Sequence, residues 1–307
     1  MAYRLLRWTL VPLFIREVVQ RRKVTILLYH DIKPEVAKKH FQFLTSKYNI
    51  IPLRRYLEAR ESKTFRNLPP KSLVLTLDDG VRSNYGLLPL LKSLKIPVTI
   101  FLCSSIVGTN RLYWDREARN RKRSLSELKT LPLADRNKEL SKLGFTLQKE
   151  YDERAALAAA EIDEMKPYVD FQSHTRFHTF LPSCSDGEAL EEISGSKREL
   201  EEKFGLDVYA FSYPNGDYSE RDVALVQRAG YTCGVTCDLW FNSETTDVFR
   251  LKRLGCRDTA SISELAVKVT GLYHFMSRLL FGRSFGHYET RFGGENGTFL
   301  RGSSTLT

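Results

Sequence analysis

Short apolar runs alternate with longer amphipathic stretches along most of the chain, a pattern typical of strands separated by helices. The apolar runs predict strands over residues 24–29, 50–52, 72–77, 97–102, 169–174 and 208–214, with two more inside 232–237 and 251–256. The stretches between them predict helices over residues 35–48, 53–61, 83–94, 186–204, 219–229 and 261–280. Strands and helices that alternate in this way favour a parallel sheet or an α/β barrel.

Two regions depart from this alternation. Residues 111–166 are charged and rich in Leu, Ala, Glu and Lys, and the run over 152–165 has strong helix propensity. We interpret them as a helical insertion in a single barrel domain spanning residues 24–281. Residues 282–307 contain six glycines and predict a flexible tail.

The composition excludes several classes of protein. Hydrophobic residues make up 42% of the 307 residues, enough to bury a core, so the chain is not disordered as a whole. No apolar stretch approaches the roughly 20 residues of a membrane span. The net charge of +10 suggests nucleic acid, but zinc-finger spacing, RNA-recognition signatures and basic regions followed by heptads are all missing. We therefore expect no specific nucleic-acid partner.

The first 23 residues contain six basic residues and one acidic residue, interleaved with apolar ones. This composition suits a basic amphipathic helix at an anionic membrane surface, or equally a helix packed on the domain. It lacks the cleavage site of a signal peptide. The odd number of five scattered cysteines favours a reducing compartment. We expect a cytoplasmic protein, in peripheral contact with the inner membrane surface under the first interpretation.

Polar residues directly follow four of the predicted strands. They are His30, the Asp78-Asp79-Gly80 triplet, His174 and the Pro214-Asn215-Gly216 triplet. The carboxyl ends of the strands in a parallel α/β barrel share one face, and that face carries the active site. We therefore predict that these residues meet in one site.

A divalent metal ion would explain two of these groups. Asp78 and Asp79 repel each other when buried unless a cation is present, and one could ligate a metal while the other acts as a base. His174 and His178 have the i, i+4 spacing that places two imidazoles on one face of a helical turn. Two histidines and one carboxylate leave coordination positions open for water and substrate. No Glu follows His174, so the H-E-x-x-H protease motif is excluded.

Three motifs in this order, LTLDDG (75–80), SHTRFH (173–178) and SYPNG (212–216), resemble the polysaccharide deacetylase family, carbohydrate esterase family 4. The LLYHDI run (27–32) further resembles the branch with biofilm poly-N-acetylglucosamine deacetylases. The resemblance implies a distorted (β/α)7 barrel and a divalent metal, most often Zn²⁺, with Co²⁺ or Ni²⁺ as alternatives. It implies hydrolysis of an N-acetyl group from a sugar, here in a glycan or a precursor in exopolysaccharide or glycolipid biosynthesis.

The resemblance also implies a role for individual residues. Asp78 matches the general base that activates water, and Asp79, His174 and His178 match the metal ligands. The backbone N–H of Asn215 matches the donor to the oxyanion, and the neighbouring Tyr213 is a further candidate for substrate binding.

The sequence departs from the family pattern at two positions. Ser212 stands where the family has an arginine that orients the base, and Arg250 or Arg253 could replace it or be structural. The late Leu-x-His motif that supplies a general acid has no match, since His274 lies in a predicted helix and is interpreted as structural. His30, at the end of the first strand, is the alternative candidate for the acid.

Other functions stay open on the sequence alone. The same fold could hydrolyse another C–N bond, such as that of a formamide or a cyclic amide. The two departures also allow a catalytically decayed barrel that only binds glycans. Within the insertion, Tyr113, Trp114 and Asp115 could contact a sugar or anchor an inserted helix.

Overall fold

The computed structural model describes residues 2–281, so the predicted flexible tail at 282–307 lies outside the described residues. One parallel sheet forms its centre, with the strand order β7-β6-β5-β4-β3-β1-β8 and β2 paired to β3. The strands are β1 Val24–Tyr29, β2 Asn49–Ile50, β3 Ser72–Leu77, β4 Val98–Leu102, β5 Val169–Ser173, β6 Ala210–Ser212, β7 Cys233–Val235 and β8 Leu254–Gly255.

The central strands β1 and β3 are buried at every position and pair in register from Val24 opposite Ser72 to Tyr29 opposite Leu77. A strand that is covered on both faces has a continuous apolar sequence. The apolar runs therefore predicted the exact bounds of these two strands. Strand β4 pairs with β3 only at Thr76 and Leu77. The sheet therefore curls instead of lying flat.

Residues 251–255 bring the two edges of the sheet together. Leu251 forms a parallel bridge with Val235 of β7, and the Arg253 N–H donates to the Asp238 carbonyl at 3.0 Å. The next residue, Leu254, begins β8, which pairs with β1 at Leu27 and Leu28. A curled parallel sheet closed in this way, with helices around it, confirms the predicted distorted (β/α)7 barrel.

Most of the helices lie in intervals that the sequence assigned to helix. They are α1 Ala2–Trp8, α2 Leu10–Phe14, α3 Pro34–Thr45, α4 Leu53–Glu61, α5 Leu88–Leu94, α6 Trp114–Asn120, α7 Leu125–Thr130, α8 Leu133–Ser141, α9 Ala159–Met165, α10 Asp186–Phe204, α11 Glu220–Arg228, α12 Ile262–Lys268 and α13 Leu272–Phe281. Short 3₁₀ turns cover Gln20–Arg22, Phe65–Asn67, Arg82–Leu87, Leu181–Ser183, Pro214–Gly216 and Val248–Arg250, and a π-helical turn covers Ile15–Val19.

Helix α10 shows why some of its bounds were predictable. Ser185 caps its first turn in a capping box with Glu188, and Gly205 ends it in the left-handed conformation at φ 60°. Both signals are local and can be read from the sequence.

Two helix predictions were wrong. The run over 152–165 is helical only from Ala159, because Ala156 forms an antiparallel bridge with Val81 and the Leu157 N–H donates to the Gly80 carbonyl at 3.0 Å. The predicted helix over 261–280 is broken between α12 and α13 at Gly271, which has φ 70°. In the first case, tertiary pairing overrides a strong local propensity.

The N-terminal segment, residues 2–23, is a series of short helical turns on the outside of the barrel, where α1 packs against α12. Among residues 2–281, no helix has both the length and the apolar character needed to cross a membrane.

Candidate active site

The strand ends bring Asp78, Asp79 and His174 together on the carboxyl face of the sheet, as the sequence predicted, and Ser212 lies beside them. Asp78 and Asp79 follow β3 directly, and Asp79 and Gly80 both have positive φ angles, 75° and 72°. A Cβ at Gly80 would lie 2.4 Å from Leu102 Cδ2, so only glycine fits this turn. The turn lets both carboxylates point into the site.

The two histidines meet by a different route from the predicted helical turn. Residues 174–178 form a tight turn after β5, in which Thr175 and His178 have φ angles of 64° and 55°. The rings of His174 and His178 lie 5.1 Å apart between centroids. The prediction of a helical turn was therefore wrong. The two imidazoles nevertheless lie close together, as their spacing predicted.

Asp79, His174 and His178 form a buried cluster of three potential metal ligands whose ligating atoms lie within 4.8 Å of one another. Asp79 Oδ1 is 3.6 Å from His174 Nε2 and 3.5 Å from His178 Nε2. This oxygen is buried and has no hydrogen-bond partner among the described residues. An unpartnered buried carboxylate oxygen facing two imidazole nitrogens fits a divalent metal ion.

Ser212 fixes the orientation of His174. The Nδ1 of His174 lies 2.8 Å from the Ser212 carbonyl oxygen, which can only accept, so Nδ1 carries the proton and Nε2 presents its lone pair to the cluster. Burial lowers the pKa of His174 to about 4, against the opposite effect of Asp78. At neutral pH the imidazole is therefore neutral, as metal ligation requires.

Arg253 holds Asp78 in place. Its two terminal nitrogens donate to the two carboxylate oxygens at 2.7 and 2.8 Å, and its Nε donates to the Thr236 carbonyl at 2.8 Å. Arg250, the other candidate for this role, pairs instead with Asp247 and Glu220 near the surface. The structure thus places Arg253 against the candidate base, and the Ser212 hydroxyl adds a third donor at 3.2 Å.

The same contacts set the charge of the carboxylates. Burial by itself would raise the pKa of Asp78, but Arg253 and His174 outweigh it and hold this pKa well below its usual range. Burial would likewise raise the pKa of Asp79, and His178, His30 and His174 lower it. Both carboxyl groups are therefore ionised at neutral pH.

His30 lies at the open edge of the site, with an exposed side chain close enough to Asp78 and Asp79 to lower the pKa of both. Its backbone is fixed on both sides: the N–H donates to Asp258 at 3.0 Å, and the carbonyl accepts from Asn84 at 2.9 Å. An exposed imidazole on a fixed backbone is placed to meet a bound substrate.

The Pro214–Gly216 turn begins two residues after Ser212, which is the last residue of β6 and a hydrogen-bond partner of Asp78. Asn215 has φ 59°, and its side-chain Nδ2 is buried without a hydrogen-bond partner in the described part of the chain. A Cβ at Gly216 would lie 2.4 Å from the backbone nitrogen of Cys237, whose Sγ is 3.8 Å from Arg253. The turn therefore packs closely against the segment that carries Arg253.

The Tyr213 side chain does not lie where it could contact a substrate. Its side chain is fully buried, and its hydroxyl donates to the Phe249 carbonyl at 3.1 Å. We correct the prediction for this side chain: it supports the packing between β6 and the chain before β8.

Four consecutive residues of the insertion contact the metal-ligand cluster. The Tyr113 hydroxyl donates to the backbone carbonyl of Asp79 at 2.9 Å, and the Trp114 indole N–H donates to the backbone carbonyl of His178 at 2.8 Å. Asp115 Oδ1 lies 3.7 Å from His178 Nδ1, and Arg116 lies 3.4 Å from Asp79 Oδ2. Tyr113 and Trp114 are buried, so they anchor the insertion, which was one of the two interpretations of these residues.

Backbone strain is concentrated in this site. Of the eight non-glycine residues with positive φ in the described chain, four lie here, namely Asp79, Thr175, His178 and Asn215. Such conformations cost on the order of 1–3 kcal/mol each and persist where the surroundings enforce them, typically at functional sites.

Comparisons with known proteins identify a family for this chain. The family model described as Polysaccharide deacetylase matches residues 65–234, more than half of the chain. A curated relative, "Putative polysaccharide deacetylase YxkH" of Bacillus subtilis (strain 168), is 24% identical over 249 residues, covering 76% of this chain and 71% of that protein.

Solved structures share the fold. The Streptococcus pyogenes deacetylase PplD in complex with acetate has a TM-score of 0.59 at 20% identity, over 80% of this chain and 98% of that one. IcaB from Ammonifex degensii has a TM-score of 0.59 at 17% identity, over 81% and 96%. The BpsB deacetylase domain from Bordetella bronchiseptica has a TM-score of 0.54 at 15% identity, over 76% and 96%.

Proposed function

The chain belongs to the polysaccharide deacetylase family, and we propose that it hydrolyses the N-acetyl group of an amino sugar in a glycan or glycan precursor, with a divalent metal ion. The observation that carries this proposal is the pairing of two differently held carboxylates. Asp79 Oδ1 is buried without a partner between two imidazole nitrogens, while Asp78 beside it is held by Arg253. Asp79 thus ligates the metal ion, and Asp78 acts as the general base.

Asp79, His174 and His178 would hold the ion, which when bound would polarise the amide carbonyl and lower the pKa of water. Zn²⁺ suits two imidazoles and one carboxylate, and Co²⁺ or Ni²⁺ would also be accepted. The neutral His174, fixed by the Ser212 carbonyl, provides a lone pair without first losing a proton.

Asp78 takes the proton of the attacking water. Its Oδ2 already accepts from Arg253 and Ser212, whereas Oδ1 accepts one hydrogen bond from Arg253 among the described residues. A carboxylate oxygen has two lone-pair sites, so Oδ1 retains one for water. Arg253 keeps the group ionised and fixes its direction, which general-base catalysis requires.

His30 donates the proton that the departing amine needs, and the backbone N–H of Asn215 stabilises the oxyanion. Water adds to the acetyl carbonyl, the C–N bond breaks, and acetate and a free amine leave. Two observations support this role for His30: its side chain is exposed at the edge of the site, and it lies close enough to Asp78 and Asp79 to lower the pKa of both.

The proposal is tested by acetate release from N-acetylated amino-sugar oligomers, with protein stripped of metal and then resupplied with zinc, cobalt or nickel. We expect release only with metal, and loss of activity on the order of 10³-fold or more in Asp78→Asn at unchanged metal content. His30→Ala should lower the rate about 10²-fold in the same assay.

Two results would contradict the proposal in different ways. Activity that survives metal removal would exclude the metal-dependent mechanism. Stoichiometric metal binding without release from any acetylated sugar would favour another C–N substrate, such as a formamide, on the same residues. The contact between Arg253 and Asp78 already weakens the case for a decayed barrel, because the missing arginine of the third motif is replaced in space.

A further inference from the structure

The N-terminal segment, residues 2–23, is attached firmly to the barrel through a few contacts. The Gln20 amide is buried and donates to Thr25 at 2.8 Å and to the Val269 carbonyl at 2.9 Å. Near the start of the segment, the rings of Tyr3 and Tyr273 lie 5.7 Å apart. The segment is therefore a fixed part of the barrel surface.

Pro12 is buried and Ile15 packs against the core, but most of the segment's large apolar side chains are exposed. Trp8 is 81% exposed and Leu10 is 77% exposed. Of the eleven large apolar side chains that are exposed in the described chain, eight belong to this segment, namely Leu5, Trp8, Leu10, Val11, Leu13, Phe14, Val18 and Val19. We call these eight residues the apolar patch. Exposed apolar residues on a soluble domain are normally scattered, so this concentration in one segment marks an interaction surface.

The charges within the segment are almost all positive. Arg4, Arg21 and Arg22 are exposed, and the guanidinium of Arg7 lies 5.6 Å from the Trp8 ring. The acidic residue of the segment, Glu17, is already paired with Arg16 at 2.7 Å and with Lys71 at 3.0 Å. The surface thus combines apolar and aromatic side chains with cations that lack acidic partners within the segment.

These features match an anionic lipid surface better than a second copy of the chain. Apolar and aromatic side chains enter the boundary between headgroups and acyl chains, while flanking arginines bind anionic headgroups. A symmetric dimer through the same patch would bring its cations together, which opposes association. We propose that residues 2–23 dock the barrel onto a membrane surface rich in anionic lipid.

Docking through the apolar patch is compatible with an open active site. The segment packs along α12, outside the sheet, and contributes none of the residues that hold Asp78 or the metal-ligand cluster. Membrane binding and catalysis can therefore be measured separately, and the first does not depend on the proposed deacetylation.

The test is flotation of the full chain with vesicles of phosphatidylcholine, with or without phosphatidylglycerol, in the absence of any sugar. We expect the protein to float with the anionic vesicles, to remain largely unbound with the neutral ones, and to dissociate as salt is raised. Trp8→Ser combined with Leu10→Ser should lower the binding constant at least about 10-fold, because two apolar side chains that would enter the membrane surface are lost. These positions are exposed, so folding is preserved.

Tyr168→Ser is the matched control, since Tyr168 is also an exposed aromatic residue but lies beside Lys92, outside the segment. It should bind vesicles like the unmodified chain. The proposal is overturned if anionic vesicles do not bind the protein, or if the Trp8 and Leu10 variant binds them as well as the control. It is equally overturned if sedimentation shows a dimer that this variant abolishes while vesicle binding is absent.

Discussion

A single ion pair decides whether Asp78 can act as a base. The pair is fully buried, with the two terminal nitrogens of Arg253 on the two oxygens of the carboxylate at 2.7 and 2.8 Å. A buried charge without a partner costs several kcal/mol, so each member of the pair keeps the other ionised. The planar guanidinium matches both oxygens at once, which a lysine ammonium cannot do.

We expect Arg253→Met to lower kcat by about 10²-fold or more, since the carboxylate loses both its orientation and its counter-charge. Burial would then raise the pKa of Asp78, because Arg253 no longer opposes it. The loss of activity on acidification should accordingly move to higher pH. The measurement is kcat as a function of pH, at saturating metal and substrate.

Arg250→Met provides the matched control for this variant. Arg250 is three residues earlier in the chain and pairs with Asp247 and Glu220, away from Asp78. Surface ion pairs of this kind contribute about 0–1 kcal/mol, so its kinetics should be unchanged. Equal pH profiles for the two variants would show that Arg253 does not hold the base.

Among the secondary-structure elements, helix α6 acts on the site from outside the barrel sheet. Its first residues, together with Tyr113 before it, contact the backbone carbonyls of Asp79 and His178 and the Nδ1 side of the His178 ring. Groups that hold a ligand in orientation typically change metal affinity by 10- to 100-fold when they are lost. The insertion therefore has a structural role at the metal-ligand cluster.

Asp115→Asn should weaken zinc binding about 10-fold or more, because the carboxylate beside His178 Nδ1 is replaced by a neutral amide. Competition with a chromophoric chelator measures the affinity. Glu117→Gln is the control on the same helix, since Glu117 bonds with Asn120 and not with a ligand. Unchanged zinc affinity in Asp115→Asn would limit α6 to packing.

For the molecule as a whole, stability depends on a buried histidine that joins three parts of the barrel. His40 of α3 lies 3.0 Å from the Tyr29 hydroxyl of β1 and 2.8 Å from the Ala260 carbonyl before α12. The carbonyl can only accept, so Nε2 carries the proton and Nδ1 accepts from Tyr29. Burial lowers the pKa of His40 below its ordinary value of 6.5.

The sign of the pH dependence follows from this shift. In the unfolded chain, His40 binds a proton below about pH 6.5, whereas in the folded chain it binds one only at lower pH. The free energy of unfolding therefore falls as pH falls through this range. The slope from one such group is at most about 1.4 kcal/mol per pH unit. Urea unfolding between neutral and mildly acidic pH should show a shallower slope for His40→Gln than for the unmodified chain.

The comparison is made at saturating zinc, so that His174 and His178 contribute equally to both proteins. Glutamine retains one donor and one acceptor and has no titratable group in this range. Identical slopes for the two proteins would exclude His40 as a source of the pH dependence.

Much of the fold and of the site was predictable because the signals are local. β1, β3, α4 and α10 were located to within a residue, since continuous apolar runs and capping residues mark them in the sequence. The motifs placed Asp78, Asp79, His174 and His178 on one face because the strand ends of a parallel barrel converge.

Most of the errors have one physical cause, which is that contacts distant in sequence override local preference; the break at Gly271, which has φ 70°, is the exception. The turn at His174–His178 reads as helical by spacing, yet it uses left-handed residues that the surrounding packing enforces. The run before α9 has helix propensity, yet it pairs with the chain that follows Gly80. Tyr213 stands in a catalytic motif, yet its side chain fills the core.

The sequence by itself determined the parallel α/β class, the order of its elements and the residue types of the site, since these depend on periodicity, capping and motif spacing. The distorted barrel was implied only by the resemblance of the motifs to a known family. Only the tertiary structure decided between Arg250 and Arg253, because the choice depends on how residues 251–255 close the sheet between β7 and β1. It alone showed that the insertion contacts the metal-ligand cluster and that the N-terminal segment is packed on the barrel with its apolar side chains outward. The direction in which a side chain points is set by the packing of segments that are distant in sequence. The pattern of residues along the chain does not contain this information.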